Sequence, residues 1–160
     1  MLGPSLRIAA ASTAFLLAVS SAAGCSQRLP AARIATDLTL TGPRLAAAVP
    51  LDGAKPFRDT PVDARIDGRA VGRREDYLAD AKRKGLDDRS LERAFRTAAA
   101  APEGAAAITV EVRRATAPGR RVWVLVQAWG YRGKTTDKVR VWLIDAASGQ
   151  VVDSASAKIP

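Results

Sequence analysis

Arg121-Val122-Trp123-Val124-Leu125-Val126-Gln127-Ala128-Trp129-Gly130 is apolar at nearly every position. Read as a strand, it sends Val122, Val124, Val126 and Ala128 to one side. Trp123, Leu125, Gln127 and Trp129 go to the other, because side chains alternate along a strand. A strand with one wet face shows polar residues at every second position. This one does not, so it belongs at the centre of a sheet covered on both sides.

Working outward, the flanking segments alternate. Ile108, Val110 and Val112 interleave with Thr109, Glu111 and Arg113, and Thr116-Ala117-Pro118-Gly119 forms a turn into the central strand. After a loop over 130–137, Val139, Val141 and Leu143 alternate with Arg140, Trp142 and Ile144. Asp145-Ala146-Ala147-Ser148-Gly149 reads as a hairpin turn with Gly149 at positive φ. A weaker strand follows from Gln150 to about Ala157. The last third is therefore an antiparallel meander of four strands.

Upstream, the spacing predicts two helices. One runs from Arg74 to Lys84, with Gly85 as its terminating residue and Lys82, Arg83 and Lys84 at its negative end. The second is capped by Asp87, with Leu86 and Leu91 at hydrophobic-staple spacing and Leu91, Ala94, Phe95 and Ala98 on one face. Before them, Ile34 to Leu40 alternates as a first strand, stopped by Gly42-Pro43. Residues 44–72 are broken by Pro50, Pro56 and Pro61, with Val62–Ile66 as a short strand and Asp67-Gly68 as a turn. So long an irregular stretch is either functional or hides an element. The expected fold is α+β: an antiparallel sheet of four to five strands with one or two helices on one face.

The N-terminus carries a different signal. Arg7 precedes an apolar run, Ile8 to Val19, too short for the roughly 20 residues of a membrane span. Small residues then lead into Ala22-Ala23-Gly24-Cys25. This resembles the lipobox of bacterial lipoproteins, with Ala22 where Leu is usual. The resemblance implies cleavage before Cys25, diacylglycerol on its thiol and a further palmitate-type acyl chain on the new amine. It divides the chain into a signal peptide over 1–24, a lipid-anchored tether over 25–32 and one α+β domain over 33–160. Ser26, where Asp tends to retain such proteins in the inner membrane, favours an outer-membrane location facing the periplasm in a Gram-negative cell. The stretch from Ala106 to Asp153, with Leu143-Ile144-Asp145 and Gly149, is also similar to the C-terminal half of several small envelope lipoproteins. That similarity implies a fold and no reaction.

Composition narrows the chemistry. The chain has no histidine and one cysteine, which removes Ser-His-Asp triads, Cys-His dyads, an intramolecular disulfide and most familiar metal sites. No cofactor motif is present. Only Arg7 of the 25 basic residues precedes Cys25, so 24 remain against 16 acidic ones. That excess suits anionic lipid, glycan or protein partners, or is simply a solubility charge. Export leaves nucleic acid out.

Two constellations are candidate contact sites. Trp123, Trp129 and Trp142 share one sheet face if the hairpin register allows, with Arg140, Arg113 and Lys138 near them; the same residues also read as core under the helices or as stabilising cross-strand pairs. Arg65, Arg69, Arg73 and Arg74 form a basic run, readable as a phosphate site or as a solvated loop paired with Asp63, Asp67, Glu75 and Asp76. The expected function is a non-enzymatic, lipid-anchored accessory module. The alternative is a carrier or sensor of a small amphiphilic or anionic ligand. A hydrolase using carboxylates alone is a third class, but no converging pair stands out.

Overall fold

The computed structural model describes residues 29–98 and 101–160. Cys25 and the signal and lipobox readings lie outside them. Five strands form one sheet in sequential order: β1 (Ile34–Thr39), β2 (Ala105–Ala117), β3 (Arg120–Tyr131), β4 (Lys138–Asp145) and β5 (Val151–Lys158). The fold is α+β, as expected, with β3 central. The sheet is mixed: β2 to β5 are antiparallel, whereas β1 lies parallel to β2. A parallel neighbour needs a long crossover. The segment from Leu40 to Gly104 supplies it and carries both helices, α1 (Ile66–Arg83) and α2 (Asp88–Thr97).

The helices cover one face of the sheet. Tyr77, Ala81, Leu91, Ala94 and Phe95 pack on Ile34, Val112, Trp123, Leu125 and Ile144. The opposite face is covered by the segment that looked irregular. It makes two 3-10 turns, Ala46–Ala48 and Asp52–Phe57, and buries Val49, Ala54, Phe57 and Val62 against Val122, Val124, Val126, Val141 and Leu143. Burying a side chain the size of Phe57 is worth about 1.5–3 kcal/mol, so scattered apolar anchors can hold a segment that has no periodicity.

Helix α1 starts eight residues earlier than its pattern indicated. Asp67 and Gly68 are inside it, not in a turn, and Val62–Ile66 is no strand; Pro61 makes one isolated bridge with Thr135. Gly68 and Gly72 each cost a helix about 1 kcal/mol relative to Ala. The fully buried Ile66 and the anchored Arg73 offset that. The second helix begins as read: the Asp87 carboxylate accepts the Ser90 N–H at 2.9 Å, and Gly85 has φ +64°. Residues 29–32, expected in the tether, are docked. Ala32 is buried, Leu29 packs on the core, and the Pro30 carbonyl accepts from Arg73.

Bulges set which side chains face which layer. A shift between Ala35 and Leu38 places Ile34 under the helices and Leu38 against the other core. A second, between Thr109 and Glu111, changes the phase of β2. Glu111 and Arg113, opposite Val126 and Val124, therefore lie on the face away from the helices, where they pair with each other.

Candidate site: an aromatic and cationic ladder

The register of β3 and β4 brings two of the three tryptophans into one row. Trp129 pairs with Lys138, Gln127 with Arg140 and Leu125 with Trp142, all on the helix side of the sheet. The Lys138 ammonium sits 5.6 Å from the Tyr131 ring centroid and 5.1 Å from that of Trp129. The Arg140 guanidinium lies 5.9 Å from Trp129 and 5.3 Å from Trp142. The order Tyr131, Lys138, Trp129, Arg140, Trp142 alternates ring and cation. Each contact is within the roughly 6 Å at which a ring face attracts a cation.

The rings are held in place. Trp129 meets Tyr131 edge-on, with centroids 5.9 Å apart and planes at 73°. Trp142 Nε1 donates to Gln127 Oε1 at 2.9 Å. Trp129 Nε1 is buried and has no hydrogen-bond partner among the described residues. Tyr131 is 44% exposed, an unusual position for a large ring, and Trp129 and Trp142 are half-buried. A row of this kind can meet a surface that is apolar and anionic at once, because rings and cations alternate every few ångströms.

The other expected members do not join. Trp123 is 2% exposed beneath α2, where its Nε1 donates to Ser90 Oγ at 2.8 Å. It is core, as the alternative reading had it. Arg113 is on the opposite face for the reason given above. Tyr131 was missed; its only sequence signal is its spacing of two from Trp129, at the end of the strand.

The basic run is dispersed, because it is helical. Arg65 is exposed and Arg69 half-buried. Arg74 stands 3.6 Å from Glu92 and over the Phe95 ring. Arg73 is buried and structural. Its Nε donates to the Thr109 carbonyl at 2.8 Å, its Nη1 to Pro30 and its Nη2 to Val110 and Tyr77. It therefore satisfies the carbonyls that the β2 bulge leaves free. The four arginines do not form one phosphate site. Asp67 pairs with Arg132, and the Asp63 carboxylate accepts the Arg65 N–H.

Chain direction orients the ladder. β1 runs from Ile34 beside Val112 to Thr39 beside Thr116. Upstream residues therefore lead toward the start of β2, as the shared Arg73 contacts of Pro30 and Thr109 show. The same end of the sheet holds Trp129, Tyr131 and Lys138, which pair with Ala107, Ala105 and Lys158 or each other. Among the described residues, no helix is long and apolar enough to cross a membrane, and no three His, Cys, Asp or Glu side chains converge as a metal site would require. No protein-family model matches the chain, and no curated protein or solved structure is detectably similar to it.

Proposed function

We propose that this is a lipid-anchored protein of the bacterial cell envelope that works by contact, not turnover. The lipid is on Cys25, and the outer membrane, periplasmic side, is its place in a Gram-negative cell. The observation that carries the reading is the ladder's position: rings and cations line the end of the sheet toward which the chain before β1 leads. An acyl anchor on that chain would bring Tyr131, Trp129 and Lys138 to the headgroup layer. Amphipathic rings are favoured there, and each basic side chain gains about 1 kcal/mol near anionic lipid. The two signals divide the work: the two or three acyl chains on Cys25 hold the protein at the bilayer durably, and the ladder sets which end of the domain faces it.

The test separates the anchor from the ladder. In the native cell, Cys25→Ser should move the protein from the membrane to the soluble fraction; retention in the membrane overturns the anchor. Purified Cys25→Ser protein should float with vesicles containing phosphatidylglycerol and not with phosphatidylcholine alone. Adding Trp129→Ala, Tyr131→Ala and Lys138→Gln should abolish flotation; undiminished flotation overturns the ladder's role.

A further inference from the structure

At the opposite end of the sheet from the ladder, a cleft of about 660 Å³ opens between the α1–α2 turn, the β2–β3 hairpin and the β4–β5 turn. Its volume is in the range of small-molecule sites, roughly 300–1,000 Å³. Three arginines line it from the hairpin side: Arg114, Arg120 and Arg121. Leu86 and Ala147 give it apolar wall, and the edge of Trp123 closes its floor.

The carboxylates around the cleft are already engaged. Asp37 is held by both arms of Arg114, at 2.9 and 2.5 Å. Asp87 caps α2 through the Ser90 N–H. Asp145 Oδ1 accepts from the Ser148 N–H, the Ala147 N–H and Ser148 Oγ. Arg120 pairs with Asp145 at 3.8 Å, and Arg121 stands close enough to Asp37 to act on it through charge, without a side-chain hydrogen bond or ion pair among the described residues. Two exposed cations therefore stand at the mouth with donors to spare, beside a third that one carboxylate neutralises. A single carboxylate needs one guanidinium; several forks converging on one site suit a dianionic group.

We propose that this cleft binds a small molecule bearing a phosphate monoester and an apolar body. The phosphate lies against Arg120 and Arg121, and the body lies along Leu86 and Ala147. The site is independent of lipidation at Cys25 and of the ladder.

The experiment is calorimetric titration of the full chain in detergent with inorganic phosphate, phenyl phosphate and phenylacetate. Phenyl phosphate should bind saturably and more tightly than either of the others. Arg120→Gln with Arg121→Gln should weaken it by about ten-fold or more, as removal of charge-assisted bonds implies. An unchanged near-ultraviolet tryptophan spectrum confirms that the double variant is folded. Absence of saturable binding, equal binding of phenylacetate, or undiminished binding by the folded double variant each overturns the proposal. If the double variant is unfolded, Arg121→Lys, which keeps the charge and loses the fork, must weaken phenyl phosphate binding for the proposal to stand.

Discussion

Asp80 on α1 accepts the backbone N–H of Ile34 on β1 at 2.8 Å. Lys84, one turn on, donates to the Ile34 carbonyl at 2.6 Å. Both main-chain groups that Ile34 turns away from the sheet are thus taken by α1. An open edge strand invites pairing with other chains, and here the helix takes up the groups of its first residue. Arg83 and Lys84 complete the shell around Asp80, at 2.7 and 3.1 Å. Removing the carboxylate leaves a buried N–H unpaired. Asp80→Ala should cost about 2–4 kcal/mol of stability in urea unfolding.

The same group gives a pH dependence. Burial alone would raise the Asp80 carboxyl, but the bonds from Arg83, Ile34 and Lys84 outweigh it and hold it at about 2, against 3.8 for an unperturbed Asp. The folded value lies below the unfolded one. The stabilisation is therefore full above about pH 4 and is lost as pH falls through about 2, amounting to roughly 2 kcal/mol. Asp80→Asn should remove this part of the acid slope. Urea midpoints of both proteins between pH 5 and pH 2 provide the comparison, and parallel curves would contradict the assignment.

Arg73 and Tyr77 act together at the β2 bulge. Tyr77 Oη donates to the Val110 carbonyl at 2.8 Å and accepts from Arg73. Tyr77→Phe loses one buried bond and should cost about 1–2 kcal/mol. Arg73→Lys keeps the charge but loses the fork that spans Pro30, Thr109 and Val110, and should cost about 2–4 kcal/mol. Because the two share Val110, the double variant should lose measurably less than the sum of the singles in a thermodynamic cycle.

Two Gly→Ala substitutions should have opposite signs. An added Cβ at Gly68 meets nothing within 4 Å. Gly68 is inside α1, so Gly68→Ala should stabilise by about 0.5–1 kcal/mol through helix propensity. An added Cβ at Gly130 would overlap the Thr135 carbonyl, where the loop after β3 folds back on the strand. That obstacle is backbone and cannot swing aside. Gly130→Ala should destabilise by about 1–3 kcal/mol. Thermal midpoints of the two variants should move in opposite directions.

Ser90 joins α2 to β3 and to the turn after β4. Its Oγ donates to the Ala146 carbonyl at 2.7 Å and accepts from Trp123 Nε1. Ser90→Ala leaves a buried indole N–H unpaired and should cost about 1–3 kcal/mol. The near-ultraviolet signal of Trp123 should change with it. An unaltered spectrum and midpoint would mean that the bond carries nothing.

The sequence by itself determined what depends on neighbours a few residues apart. The double-sided apolar run from Val122 to Ala128 made β3 central, and alternation made β4 its partner. Asp87 and Gly85 marked the boundary between the helices through local capping and a left-handed backbone. The tryptophan row was half legible, since its phase along β3 and β4 is a two-residue period. Only the tertiary structure decided the rest. The bulge at Val110 turns Arg113 away from the tryptophans, and no local pattern announces it. Trp123 is core because α2 happens to lie over it. Arg73 is buried because the bulged strand offers carbonyls 36 and 37 residues away. The cover over 40–65 has no period because its anchors answer to the sheet beneath and not to one another. Periodicity is written by contacts within an element. Contacts between distant elements leave no such trace, and they place the ladder at one end of the sheet and the arginine cleft at the other.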